Sequence, residues 1–344
     1  MTTPAPRLPT LDDVALAAGV SRATASRAIR DARRVTPELR EAVERAIEQT
    51  GYVPNRAARS LASGGSSSLA IALAGIDPSD DAAADPYADP FFGRVVSGLA
   101  RAVRAHDRDP VLLLAEGEAE RRNVLRSFRT GQTAGVLLVT THPRDPLLAE
   151  AIEAGVPAVM FGTPPDDVPI SFVDVVNHEG GRLAADHLTA RGARMVAAIA
   201  GPADVPSAAA RLRGFRDGVA RAGQAFAPVA EGRFSVESGR RAMAELLDAQ
   251  PGIDGVFAAN DLMALGAIQE LRARGIEVPR DVAVVGFDDS FMAAISQPAL
   301  TTVRQPIQEM ADAMVRLLLD RLADPAARPV SALFDPRLVV RDSG

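Results

Sequence analysis

The chain has 344 residues, 47% hydrophobic and 24% charged, with a formal net charge of −6, which suits a globular protein of two or three domains. It has no cysteine and all 38 basic residues are arginine, which excludes disulfides, thiolate metal sites, cysteine nucleophiles, a Walker lysine and a Schiff base. No apolar run nears the roughly 18 residues of a membrane span, and MTTPAPRLPTLDD lacks the apolar core of a signal peptide, so a cytoplasmic protein is expected.

The first element is predicted at Thr10. Thr10 and Asp13 have capping-box spacing, and Leu11, Val14, Ala15 and Ala18 recur at helical spacing. Gly19 allows the positive φ that ends a helix, and Ser21 caps a second helix over 22–29. On that helix Arg22, Ala23, Ser26, Arg27 and Arg30 share an arc of roughly 140°, with Thr24, Ala25, Ala28 and Ile29 opposite. Two short helices at a glycine turn make a helix-turn-helix pattern, and Arg22 and Arg27 suit bidentate bonds to guanine. A helical hairpin with solvated arginines fits these residues equally well. Residues 1–65 do carry ten arginines against seven acids, while the chain as a whole is acidic.

Thr36-Pro37-Glu38 starts a third helix with the stripe Leu39, Val43, Ala46 and Ile47, closed by Gly51. Asn55, after Pro54, caps a short helix to about residue 62, and a Gly-Ser linker follows. A helix of this length does not hold itself in water. Leu61, set among arginines, suits a minor-groove wedge, or it packs on the three helices before it.

The strings DVALAAGVSRATASRAI and TPELREAVERAIEQTGYVPNRAARSLASG resemble the lactose-repressor (LacI/GalR) family of bacterial transcription regulators. The resemblance implies that Arg22, Ala23 and Arg27 stand where members read bases, with Ser21 and Thr24 in the same DNA-binding set. It also implies that Asn55, Ala58 and Leu61 lie in a hinge helix over about 55–62. Ala25 departs from the family's common valine, which should reduce packing without abolishing the fold.

From Ser68 short apolar runs alternate with amphipathic helices: strands at 69–75, 111–116, 135–141, 157–162, 195–200, 254–259 and 282–287, helices at 95–106, 179–191, 208–222, 237–249 and 261–274. This pattern predicts an α/β fold with parallel sheets and right-handed crossovers, in two similar lobes. DPFFGRVVSGL, GVPAVMFG, RLRGFRDGVARAG, GVFAANDLMALGAIQELRARGIEVPRDVAVVGFDD and ALTTVRQP extend the resemblance to the C-terminus. The implied architecture is an all-α helix-turn-helix headpiece (1–65) before a two-lobed domain of periplasmic-binding-protein type (66–344). The resemblance puts one lobe at 69–169 with 299–329 and the other at 170–298 with 330–344.

Ligands in such folds lie beyond the carboxyl ends of the strands. That places Asp288 and Asp289, Asn260 and Asp261, and Phe91 and Phe92 at the cleft. A sugar needs carboxylates and amides for its hydroxyls, an arginine fork and an aromatic plane. The family positions supply Asp288, Asn260, Arg211 and Phe92. Asp261 serves equally as a helix cap, and of Phe91 and Phe92 one is expected to face the ligand and the other the core. In FVDVVNHEGG, Asn177 matches the family but Val176 replaces an acid, for which Asp174 is a candidate substitute. Residues 76–90, rich in Ala, Asp and Pro, form either a cover for the pocket mouth or a neutral insertion.

No catalytic motif is present: there is no G-x-S-x-G or G-x-G-x-x-G, and His106, His142, His178 and His187 lack metal-ligand spacing. The expectation is therefore no enzyme, no cofactor and no metal. The expected partners are operator DNA, a small-molecule effector of carbohydrate type and a second copy of the chain. A dimer is favoured over a tetramer because only RDSG follows Val340 and its neighbour, without a heptad tail. Two rival readings stand beside this one: a cytoplasmic ligand-binding protein without DNA function, and a regulator whose corepressor is a nucleoside or another metabolite.

Overall fold

A computed structural model describes residues 9–30, 35–52, 66–74, 89–140, 145–165 and 168–344. The chain divides into two compact units, Met1–Gly65 and Ser66–Gly344. In the first, helices α1 (Leu11–Ala17), α2 (Arg22–Arg30) and α3 (Pro37–Thr50) bury Val14, Ala25, Val43 and Ala46 between them. The Thr10–Asp13 capping box is formed, and Gly19 and Gly51 take positive φ at the helix ends. Thr36 differs from expectation: its side chain makes no cap bond, so Pro37 and the dipole partner Glu38 mark this helix start.

The second unit holds two six-stranded sheets. One contains β1 (Ser68–Ala74), β2 (Asp109–Ala115), β3 (Val136–Thr140), β4 (Ala158–Phe161), β5 (Ser171–Val175) and β11 (Ser331–Phe334), in the order β11-β5-β4-β3-β1-β2. The other contains β6 (Val196–Ala200), β7 (Val229–Glu231), β8 (Gly255–Ala258), β9 (Ala283–Asp288), β10 (Thr301–Arg304) and β12 (Arg337–Val339), in the order β12-β10-β9-β8-β6-β7. Among the described residues every pairing is parallel except β10 with β12. Central strands such as β1 and β6 are buried at nearly every residue because helices cover both faces.

The first lobe carries α4 (Pro90–Ala105), α5 (Glu118–Arg129), α6 (Pro146–Glu153) and α12 (Ile307–Ala323), and α12 packs on α4. The second carries α7 (Asn177–Ala190), α8 (Pro206–Arg221), α9 (Val236–Ala249), α10 (Asp261–Ala273) and the short α11 (Phe291–Ile295). Among the described residues no helix is long and apolar enough to cross a membrane.

Two expectations need correction. The chain passes between lobes after β5, β10 and β11, near 176, 305 and 335, and not near 170, 298 and 330. Hydrogen bonds to β4 place residues 171–175 in the first lobe, and hydrogen bonds to β9 place residues 301–304 in the second. Helix α4 begins at Pro90, five residues before the predicted start, because Asp89 accepts a bond from the Phe91 N–H (2.9 Å) and Pro90 sits at the first turn.

Candidate DNA-reading helix and ligand cleft

The second helix of the first unit presents Ser21, Arg22, Ala23 and Arg27 to solvent, with Thr24 half-buried and Ala25 fully buried. Ser21 caps the helix through the Thr24 N–H (3.1 Å), and the Ser21 and Thr24 hydroxyls are bonded to each other (2.8 Å). Both are thereby engaged in holding the helix start. Arg22 lies 3.4 Å from Asp12, an exposed pair that a stronger acceptor displaces at little cost. Among the described residues Arg27 reaches only the Ala23 carbonyl, at 3.4 Å, and is there the freer of the two arginines. Asn55, Ala58 and Leu61 fall outside the described residues.

The candidate ligand cleft of the second unit centres on Arg211, a residue of α8 that is almost completely buried. Its Nε donates to Asn177 Oδ1 (2.8 Å) and its Nη1 to the Ala259 carbonyl (2.7 Å). Asp288 Oδ1 lies 3.7 Å from Nη1, and the guanidinium carbon sits 3.6 Å from the centroid of the Phe287 ring. Burial pushes Arg211 below its ordinary value, opposed by the charges of Asp288, Asp174, Asp261 and Asp89. Asp288, at the carboxyl end of β9, accepts from Gln305 (2.7 Å) through the same Oδ1. Burial raises its pKa, and Arg211 opposes the shift. Among the described residues, Arg211 Nη2 and Asp288 Oδ2 make no further hydrogen bond.

The other nominated residues are largely spent within the protein. Asn260, not Asp261, caps α10: its Oδ1 accepts from Met263 N–H (2.9 Å) and its amide donates to the Phe234 carbonyl (3.1 Å). Asp261 accepts from the Ser290 N–H (2.6 Å) and the Thr302 hydroxyl, tying the start of α11 and strand β10 to α10. Asn177 is consumed by Arg211, Asp174 and the Val175 carbonyl. Asp174 does not substitute for the acid missing at Val176. Its carboxylate already accepts four bonds, from the Thr163 N–H and hydroxyl, the Val175 N–H and the Asn177 amide. It orients Asn177 and, through it, Arg211. Of the aromatic pair, Phe92 is buried in the core and Phe91 is the half-buried partner, set edge-on to Phe92 and Phe161.

Asp89 is a cleft residue that the sequence reading missed. Burial first, and then the charge of Asp288, raises its pKa to about 7. Its sequence signal was Asp89-Pro90, a cap-and-proline start of the same kind as Thr36-Pro37. Between about pH 4 and 7 the unfolded chain has released this proton while the folded chain keeps it, so stability falls as pH rises through that window. Asp89→Asn keeps a good helix cap and removes the titration. Thermal melts should show the wild type losing about 2–3 kcal/mol more than the variant between pH 5 and 8. Equal losses would place Asp89 in a wetter, less perturbed environment.

Residues 10–55 match the bacterial regulatory proteins of the lacI family, and residues 185–344 match the periplasmic binding protein-like domain. The HTH-type transcriptional regulator CelR of Thermobifida fusca is 42% identical over 344 residues, covering 98% of this chain and 99% of that protein. The chain belongs to the lacI family. The HTH-type transcriptional repressor CytR of Escherichia coli (strain K12) is 30% identical over 97% of this lacI-family chain and 96% of its own. Among solved structures, a CelR–cellobiose complex superposes with a TM-score of 0.74 at 40% identity, over 98% of this chain and 100% of that one. The lac repressor dimer bound to operator and the anti-inducer ONPF gives 0.81 at 28% identity, over 98% and 99%. This lacI-family chain is accordingly a DNA-binding transcriptional regulator with a ligand-binding domain, which sets aside the reading without DNA function. Its relatives are regulators, not enzymes.

Proposed function

We propose that the protein is a cytoplasmic, homodimeric repressor released from a pseudopalindromic operator by a saccharide bound in the ligand cleft. The observation that carries this reading is the buried pair of Arg211 on α8 and Asp288 at the end of β9, with a fork donor and a carboxylate acceptor unspent among the described residues. Adjacent hydroxyls of a sugar match that donor–acceptor set, and the half-buried Phe91 ring offers an apolar edge. Cellobiose, bound by a relative 40% identical, is the first ligand to try. Binding energy reaches the operator through linkage: a saccharide that lowers operator affinity is itself bound more weakly on DNA, by the same factor. A coupling of about 1–3 kcal/mol gives a 5–150-fold change.

The deciding experiment selects an operator from random duplexes with the full-length protein and titrates it with and without cellobiose and other disaccharides. Release by a saccharide supports the reading; indifference to all of them sinks it. On the same operator Arg27→Ala should cost about 1–3 kcal/mol, with much less effect on random duplex. Equal loss on both duplexes reduces Arg27 to a phosphate contact.

A further inference from the structure

Arg94 joins the two lobes directly. It is the fifth residue of α4, a helix of the first lobe packed on α12 and β1. Its Nη1 donates to the backbone carbonyls of Asp288 and Asp289 (2.9 Å to Asp289), 194 and 195 residues further along and in the second lobe. Both residues hold positive φ, 108° and 54°; aspartate enters the left-handed region more readily than most side chains, and 108° lies beyond it. The surroundings here are explicit. The Asp289 carboxylate is pinned by Arg304 and Arg341 at 2.5 Å each, its N–H donates to Thr302, and Gln305 holds the Asp288 side chain. A braced pair of carbonyls is therefore aimed across the cleft at one guanidinium.

We propose that Arg94 is a positioning residue: an interlobe latch that holds the cleft closed and sets how much ligand is needed to change the protein's state. Its partners are carbonyl oxygens, so the bond leaves the Asp288 carboxylate available to a ligand and persists in the occupied cleft. The three crossings near 176, 305 and 335 act as the hinge. Opening about them separates α4 from the end of β9 and breaks both bonds together. A charge-assisted bond of this kind biases a two-state equilibrium without any ligand present. The effect on operator release rests on the saccharide reading above; the latch itself does not.

The absence of cysteine makes the test direct. Glu118 begins α5 and Glu237 is the second residue of α9; both are exposed and both follow the carboxyl end of a strand, one in each lobe. Spin labels at Glu118→Cys and Glu237→Cys report the cleft width in ligand-free protein. The expected result is that Arg94→Ala lowers the ratio of short to long distances at least about threefold. Arg94→Lys, which keeps the charge but supplies a point donor in place of the fork, should fall between. Isothermal titration with cellobiose should show the affinity weakened about 3–10-fold by Arg94→Ala. Unchanged distance distributions in both variants overturn the latch, and Arg94→Lys decides if Arg94→Ala folds poorly. A wild type that ignores cellobiose counts against the saccharide reading and leaves the ligand-free distances to decide the latch.

Discussion

Arg211→Ala is expected to destabilise the ligand-binding unit by about 3–5 kcal/mol, the loss seen when one member of a buried ion pair is removed. Asp288 and Asp174 are buried, and Asp89 and Asp261 are shifted to about 7, with Arg211 the cation set among them. Without it, carboxylates must stay protonated to remain buried, the Ala259 carbonyl and Asn177 lose a donor, and Phe287 loses its stacked plane. The deficit should therefore grow from pH 5 to pH 8, as more of these acids would ionise. Arg211→Lys retains a charge but cannot reach Asn177, Ala259 and Asp288 together, and should recover under half of the loss. Urea unfolding at the two pH values measures this. A loss below about 1 kcal/mol, or one independent of pH, would show that the acids do not depend on Arg211.

The second large effect is steric. A Cβ on Gly214 of α8 would lie 1.7 Å from the His178 carbonyl of α7, and one on Gly181 of α7 would lie 1.9 Å from the Arg211 carbonyl of α8. The two helices meet backbone to backbone at these reciprocal points, with no flexible side chain to yield. Because α7 begins with Asn177 and α8 carries Arg211, the same approach sets the 2.8 Å bond between them. Gly214→Ala is expected to cost more than about 3 kcal/mol, beyond ordinary overpacking, or to leave the unit unfolded. Gly93→Ala, at an exposed α4 position where, among the described residues, nothing beyond its own helical turn lies within 4 Å of the added carbon, is the control and should be neutral or slightly stabilising. A Gly214→Ala protein with wild-type stability and wild-type ligand binding would mean that the helices separate freely.

Much of this protein was legible in its residues because the signals are local. The capping box at Thr10 and Asp13, the turn at Gly19 and the exposed face of Arg22, Ala23 and Arg27 each depend on neighbours within four positions. Alternating apolar strands and amphipathic helices likewise mark an α/β unit, and the position of Asp288 at a strand end follows from VAVVGF before it. Asp89 was legible too, through the same cap-and-proline spacing, but the apolar residues from Val95 onward drew the predicted helix start too far along. What the tertiary structure alone decided is where long-range bonds go. Pairing with β4 and β9 assigns β5 and β10 to their lobes. Four filled acceptor sites turn Asp174 from a ligand candidate into a brace, and the bond to Met263 makes Asn260 a cap. Arg94 gave no sign of its partners, because periodicity reports which face a side chain occupies and carries nothing about a carbonyl 194 residues away.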